Sequence, residues 1–326
     1  MIMGLRAQKH RNNPLVSGDF KVKAIGDVMK DRLIKALAHQ GNIRIMAVNS
    51  TQSVSHLVDL FDLYPTSAAA LGRFISIGYI MGGMLKAKEE SISATLKGSN
   101  EIKQLVMVAT SFGTIKATIS NPHVTRIHPV SGKLDVGHAI GNGTLSVVKN
   151  LGLKHSFAST VNLVSSEIGE DFTTYFATSE QTPTAISVGV LVNEDGSIAS
   201  AGALMIQLMP GHSEIDIQMV EHVIANLKPI STIFLEEPNV EQLVLSLFDE
   251  TQVLEEKDVI YECDCSYERM RKGLSLIDMV DLKDMIREDQ EAHIECQFCK
   301  ENYHFSLEVL LEIKKEKESM HEYRVH

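Results

Sequence analysis

The alternation of apolar and polar residues along this chain predicts short strands interrupted by helices. Strand patterns cover residues 42–49, 91–97, 104–110, 114–120, 144–149, 161–165, 186–192 and 198–207. Helical spacing covers residues 52–63, 66–86 and 169–178, and a short helix or turn is predicted over 31–39. Strands and helices come in mixed order with hairpins, so the pattern predicts an α+β fold rather than a doubly wound parallel sheet.

The most apolar stretch of the chain covers residues 68–85. Arg73 interrupts it, and four glycines lie within it. A membrane-spanning helix is a run of apolar residues with few or no charges. The stretch is therefore interpreted as a buried helix that packs tightly against a sheet.

The pattern becomes purely helical after Gly211. Apolar residues at helical spacing predict a helix over 212–228 with Ser213 as its N-cap, and another over 239–248 with Asn239 as its cap. Residues 29–211 are accordingly interpreted as an α+β core domain. Residues 212–260 are interpreted as an amphipathic helical linker that packs on this core in at least one state of the protein.

The four cysteines of the chain all lie in one short region. Cys263 and Cys265 form a CxC pair, and Cys296 and Cys299 form a CxxC pair. Each pair can bring two sulfur atoms onto one ion, and four thiolates are the ligand set of a closed, tetrahedral Zn²⁺ site. The spacing therefore predicts one structural zinc ion per chain in the reduced protein.

Three alternatives apply to this region. Buried cysteines are often small hydrophobic residues, but CxC and CxxC spacing does not follow from that role. Permanent disulfides are typical of exported proteins, and no apolar signal segment follows the basic N-terminus. His293 and His304 lie near the second pair and are alternative ligands.

Residues 261–326 are predicted to form a separate small unit around these cysteines. Two short helices are predicted over 266–276 and 281–287, then a turn at the second pair, a strand and a final helix capped by Ser306. A unit of this size is marginal without a staple, so the metal is expected to be part of its fold.

Charge and composition limit the classes of function that this chain can have. The chain has 326 residues, a formal net charge of −11 and no Trp, which argues against a general nucleic-acid binder. The Gly141 to Gly143 turn is too short for a phosphate loop, so no ATP site is expected.

Residues 1–28 have basic and no acidic side chains through Gly18. They are interpreted as a disordered or expression leader, or as a weak targeting sequence.

An acidic cluster near the middle of the chain suggests either catalysis or a structural role. Its members are Glu167, Glu170, Asp171 and Glu180. No motif ties a nucleophile, histidine or lysine to them, so a capped helix start or a salt link explains them better. The chain is therefore expected not to be an enzyme.

Distinctive motifs lie at residues 65–68, 70–73, 120–122, 143–149, 151–153, 179–183, 207–211, 263–266, 268–269, 296–299 and 303–305. Together they resemble the redox-regulated heat-shock chaperone family, the bacterial thirty-three-kilodalton chaperonins. The resemblance covers residues 29–308. The chain departs from the family pattern at two positions. Ser166 stands where the family often has Gly, and Ala203 replaces a frequent second Gly after Gly202.

The resemblance implies an ATP-independent holdase that protects unfolding proteins under oxidative stress. It implies an inactive reduced form with zinc and an active oxidised form with Cys263–Cys265 and Cys296–Cys299 disulfides. It further implies unfolded client proteins as partners, a homodimer when active and a cytoplasmic location, without membrane or nucleic-acid binding. A thiol–disulfide oxidoreductase or a zinc-ribbon interaction protein is the alternative, provided that the CxxC pair begins a helix in a thioredoxin-like unit.

Overall fold

The computed structural model describes residues 30–153 and 155–324. The leader predicted for residues 1–28 lies outside the described residues. The strands are β1 Arg32–Ala38, β2 Ile43–Asn49, β3 Ser91–Gly98, β4 Gln104–Thr110, β5 Thr114–Ile119, β6 Gly143–Asn150, β7 Phe157–Asn162, β8 Thr184–Val192, β9 Ile198–Leu208, β10 Gln252–Asp258, β11 Ile260–Tyr261, β12 Glu291–Glu295 and β13 Asn302–Ser306. The helices are α1 Thr51–Phe61, α2 Pro65–Gly83, α3 Val136–Ile140, α4 Gly169–Thr178, α5 Glu214–Asn226, α6 Ile230–Glu236, α7 Val240–Leu247, α8 Tyr267–Leu274, α9 Met279–Glu288 and α10 Leu307–Arg324.

Two sheets and the helix between them form the core domain, so the α+β prediction is confirmed. The first sheet has the order β10-β1-β2-β9-β8, and the second has the order β11-β5-β4-β3-β6-β7. All pairs are antiparallel except β11 with β5. Helix α2 contacts strands of both sheets, and its side chains join theirs in the largest hydrophobic cluster.

Helix α2 packs as closely on the sheets as its glycines suggested. A Cβ atom added at Gly78 would lie 2.4 Å from the sulfur of Met107 on β4. A larger residue would therefore push the helix away from the sheet. Within residues 30–153 and 155–324, every helix is too short or too polar to span a bilayer.

The prediction of a helix or turn over residues 31–39 is wrong, because this segment is strand β1. It pairs with β2 on one side and β10 on the other. Leu33 faces the α2 cluster, whereas Ile34 and Ala36 face the linker helices. Since both faces are covered, the apolar residues form a run rather than the clean alternation that marks a half-buried strand. Asp31, just before it, accepts the backbone amides of Gln52 and Ser53 at 2.9 and 2.7 Å and so caps α1.

The other differences concern short or irregular segments. The strand predicted at 161–165 overlaps β7 only at its end, because β7 begins at Phe157 and ends at Asn162. Helices α3 and α6 and strands β10, β11 and β12 were not predicted. Strand β10 lies inside residues 212–260, so the segment interpreted as a helical linker also completes the first sheet.

The acidic cluster has the structural role that the sequence favoured. Asp171 accepts backbone amides from Val164, Ser165, Ser166 and Ile168 at 2.8–3.3 Å at the start of α4. Glu167 pairs with Arg73 at 2.6 Å, and Glu180 accepts the Tyr175 hydroxyl at 2.5 Å. Ser166 has φ +63°, a left-handed conformation that favours glycine, which fits the frequent glycine at this position in the family that the chain resembles.

Helices α5, α6 and α7 cover the outer face of the first sheet with a hydrophobic cluster of their own. The Ser213 and Asn239 caps are confirmed, since each side chain accepts amides of the following turn. The buried residues contributed by the linker are Val220, Ile230, Phe234, Val240, Leu243, Val244 and Phe248. Ile215, part of the predicted stripe, is instead 61% exposed.

Candidate metal centre

Two local structures present the four cysteines to one another. Cys263 and Cys265 lie between strand β11 and helix α8, where Ser266 caps the helix. Cys296 and Cys299 lie in the turn that joins β12 to β13. In this turn the amide of Lys300 donates to the carbonyl of Cys296 at 2.8 Å, and Lys300 adopts φ +62°. The turn thus points both of its sulfur atoms to one side, as a zinc knuckle requires.

The four sulfur atoms converge at a spacing that suits a metal ion. All are free thiols and lie within 4.8 Å of one another. The Cys263 and Cys296 sulfurs are 3.7 Å apart, and those of Cys265 and Cys299 are 3.2 Å apart. In a zinc tetrahedron with Zn–S bonds of about 2.3 Å, neighbouring sulfurs lie about 3.8 Å apart. The donors present therefore fit a four-coordinate ion.

The thiols differ in how readily they lose a proton. Burial raises the pKa of Cys263 to about 11 and also raises the pKa of Cys299. Burial would raise the pKa of Cys296 as well, but amides of Phe298 and Cys299 donate to its sulfur and lower that pKa. Crowded thiols resist ionisation together, whereas a divalent cation favours the thiolate form of each ligand.

Polar side chains surround the sulfurs and hold the CxC loop. The Tyr303 hydroxyl lies 3.0 Å from the Cys265 sulfur. Asp264 pairs with Arg269 at 2.6 Å and with Lys116 on strand β5. Burial would raise the pKa of Asp264, but the hydrogen bonds from Arg269 and Lys116 lower it to about 2. Asp264 is therefore a carboxylate that ties the cysteine loop to the core domain.

Tyr261 is the second link between the cysteine unit and the core. Its hydroxyl contacts the carbonyl of Ala117 on β5, at 2.9 Å, and the carbonyl of Phe298 inside the CxxC turn. The amide of Ala117 also donates to this hydroxyl at 3.3 Å. Lys300 adds a cation–π contact with Phe61, 5.5 Å from the ring centre. The turn that carries Cys296 and Cys299 is thereby docked on the core domain.

The cysteine unit has only a small core of its own. Its buried hydrophobic residues are Leu274, Leu282, Ala292, Phe305, Leu310 and Ile313. The predicted helices of this unit are present as α8, α9 and α10, and Ser306 directly precedes α10. A core of this size is small for a unit that folds on its own.

The structure separates the alternative histidine ligands from the cysteines. His293 and His304 group with Glu291 on the β12–β13 hairpin, apart from the four sulfurs. Lys116, Tyr261 and Tyr303 are the site residues that sequence reasoning missed. Lys116 lies 148 positions from its partner Asp264, and no local pattern could reveal such a contact.

Comparison with known proteins gives the family. The model of the Hsp33 protein family matches residues 31–306. The chain belongs to the Hsp33 family. It is 40% identical to the 33 kDa chaperonin of Shouchella clausii, covering 89% of this chain and 99% of that protein, and 39% identical to that of Enterococcus faecalis, covering 88% and 97%. The crystal structure of the Thermotoga maritima 33 kDa chaperonin, an Hsp33 homologue, matches with a TM-score of 0.81 and 32% identity, over 89% of this chain and 99% of that chain.

Family membership confirms the resemblance drawn from the motifs and makes this chain an Hsp33-family chaperone. The fold and the cysteine cluster near the C-terminus agree with that assignment.

Proposed function

We propose that this chain is a redox-regulated holdase that protects unfolding proteins from aggregation under oxidative stress. The observation that carries the proposal is the convergence of four free thiols, within 4.8 Å of one another, on a small unit docked against the core domain. Thiolates are the form of cysteine that oxidants attack. In this proposal the reduced form is inactive and the oxidised form is active.

In the reduced form, Cys263, Cys265, Cys296 and Cys299 hold one Zn²⁺ per chain. The ion, when bound, supplies the charge that keeps all four ligands as thiolates and joins the CxC loop to the CxxC turn. Structural zinc contributes about 10–16 kcal/mol in small zinc peptides, whereas a whole domain has a net stability of only about 5–15 kcal/mol. The cysteine unit therefore depends on intact ligands.

Oxidation removes the ligands in pairs. Cys263 pairs with Cys265, and Cys296 pairs with Cys299. Each pair of thiolates gives two electrons to an oxidant such as a peroxide, which takes up two protons per disulfide and is reduced to water. The sulfurs no longer bind metal, and residues 261–326 unfold because their own core is small.

Unfolding of this unit frees the linker. Residues 212–260 carry helices α5 to α7 and lead directly into Tyr261, whose contacts with Ala117 and Phe298 are lost. Helices α5 to α7 then leave the outer face of the first sheet, where Ile34, Ile45 and other apolar side chains become exposed. A contiguous apolar surface of this kind can bind an unfolding client.

The setting follows from the same chemistry. A reducing cytoplasm keeps the thiols reduced until oxidants accumulate, so we place the chain there. The active form is a homodimer that binds unfolded clients without ATP, nucleic acid or membrane. The net charge of −11 keeps the exposed state in solution.

The alternative of a thiol–disulfide oxidoreductase has no observation in its favour. That activity is typical of a CxxC pair at a helix N-terminus, where the thiol pKa is lowered. Here Cys296 and Cys299 lie in a turn between two strands.

The test compares the reduced, zinc-loaded protein with the peroxide-oxidised protein. Only the oxidised form should suppress light scattering by a thermally unfolding client, and it should have lost its zinc. Peptide mapping should find the two disulfides within the CxC and CxxC pairs. Equal holdase activity in both forms, or a dominant bridge between Cys265 and Cys296, contradicts the proposal. Catalytic turnover of a disulfide substrate would instead favour the oxidoreductase.

A further inference from the structure

The β12–β13 hairpin carries a second group of metal-ligating side chains. His293 and His304 are directly opposite each other on the two strands, with ring centres 4.8 Å apart. Glu291 lies two residues before His293, so it is on the same face of the strand. Its carboxylate oxygens lie 2.8 Å from Nε2 of His304 and 3.2 Å from Nε2 of His293. The three ligand atoms therefore converge, within 4.8 Å of one another.

The donor set indicates the class of ion. Two imidazoles and one carboxylate suit zinc, nickel and copper, whereas magnesium and calcium prefer sites made of oxygen alone. All three side chains are exposed, so an ion can keep water in its remaining positions and no charge has to be buried. The group shares no residue with the four cysteines, whose sulfur donors select a different coordination.

We propose that Glu291, His293 and His304 bind one divalent transition-metal ion at a site separate from the cysteine cluster. The ligands come from two strands and meet only when the hairpin is folded. An ion bound there cross-links β12 to β13 and stabilises the hairpin by mass action. Carboxylate pairing with the two imidazoles, without any ion, is the competing explanation for the same geometry.

Nickel alone is the probe that separates these explanations. The reduced full-length protein, with zinc on its cysteines, is titrated with Ni²⁺ by calorimetry. We expect one saturable Ni²⁺ site per chain without thiolate-to-nickel charge-transfer absorption. Paramagnetic broadening should be confined to the resonances of residues 291–295 and 302–306. Such broadening places the ion on the hairpin rather than on other histidines.

Variants complete the test. Replacing both histidines (His293→Asn with His304→Asn), or Glu291→Gln alone, should weaken Ni²⁺ binding at least about tenfold. His123→Asn, at an exposed histidine that pairs with Asp62, should leave it unchanged. Zinc retained by the cysteines in every variant shows that the unit is folded. Unchanged nickel affinity in the double variant, or no saturable binding in the unmodified protein, overturns the proposal.

Discussion

Asp216 is the buried charge that fastens the linker to the core domain. Its carboxylate accepts the backbone amide and the hydroxyl of Ser213, at 2.6 and 2.7 Å, in the first turn of α5. It also contacts Nδ1 of His39, in the turn between β1 and β2. Burial alone would raise the pKa of Asp216, but the hydrogen bonds from His39 and Ser213 hold it well below its usual value.

The substitution Asp216→Asn tests this fastening. The amide keeps the size of the side chain but loses the charge that His39 and Ser213 recognise. We expect the linker to dock more weakly by about 1–2 kcal/mol, and the reduced protein to gain partial holdase activity. The measurement is client light scattering under reducing conditions. Asp195→Asn, in the exposed turn between β8 and β9, is the matched control, and equal activity of the two variants would argue against the role of Asp216.

The same carboxylate predicts an acid-sensitive linker. Because the pKa of Asp216 is lower in the folded protein than in the unfolded chain, its contribution to stability is complete above the unfolded value and is lost as pH falls through the folded value. Below about pH 4, the unmodified protein should therefore lose stability more steeply than Asp216→Asn. Urea unfolding between neutral and acid pH measures this difference. Parallel pH dependence of the two proteins would exclude Asp216 as its source.

At the scale of elements, the linker helices close one face of the first sheet. Helix α6 packs tightly on this face, since a Cβ atom added at Gly202 on β9 would lie 2.4 Å from the ring of Phe234. The hydroxyl of Ser200 donates to the carbonyl of Ser231 at 2.7 Å on the same helix. Gly202 thus provides the space that lets α6 lie against the strand.

Phe234→Ala should release the linker without oxidation. Removing a buried phenylalanine costs about 3–5 kcal/mol, and here the loss falls on the contact between α6 and the sheet. We expect faster hydrogen exchange in α5 to α7 and holdase activity in the reduced protein. Leu245→Ala, at a side chain that is 46% exposed on α7, is the control. Retained zinc in both variants separates linker release from loss of the metal.

Tyr261→Phe tests the docking of the cysteine turn. One hydroxyl has a single proton, so Tyr261 donates to either Ala117 or Phe298 and accepts the amide of Ala117. Its loss should weaken docking by about 0.5–1.5 kcal/mol and leave zinc affinity unchanged. We expect peroxide to oxidise the thiols of this variant faster. Titration of the remaining free thiols over time measures the rate. The exposed Tyr64→Phe is the control, and an unchanged oxidation rate in Tyr261→Phe would contradict this role.

At the scale of the whole molecule, the described residues form three hydrophobic clusters of unequal size. The α2 cluster lies between two sheets, the linker cluster depends on α5 to α7, and the cluster of the cysteine unit contains six buried residues. The smallest is last in the chain and is joined to the others by Tyr261 and Asp264. When the metal ligands are lost, unfolding should therefore spread from the cysteine unit to the linker and stop at the α2 cluster.

Hydrogen exchange on the reduced and the oxidised protein measures this order. Oxidation should remove protection from residues 261–319 and from helices α5 to α7. Helix α2, buried between the sheets, should stay protected in both forms and is the internal control. Equal protection of α5 to α7 in both forms, while holdase activity appears, would show that the linker does not gate the surface.

Features encoded within one local stretch were predictable from the sequence. The helical spacing of α2, α4, α5 and α7 and the caps of α5 and α7 are local patterns, and CxC and CxxC each place two sulfurs by short-range geometry alone. Resemblance then supplied the family, because separate motifs occur in the right order. Strand β1 was misread since its apolar residues serve two covered faces at once.

Contacts between segments that are distant in sequence could be identified only in the tertiary structure. Asp264 meets Lys116 and Tyr261 meets Ala117 across 148 and 144 positions, and the strands β10 and β11 that bring them together are defined by their partners rather than by their own pattern. His293 and His304 looked like substitutes for cysteine ligands in the sequence. The hairpin register sets them opposite each other and beside Glu291. The sequence could not predict this, because residue spacing along a chain does not determine which residues of two strands are paired, and so which side chains share a face.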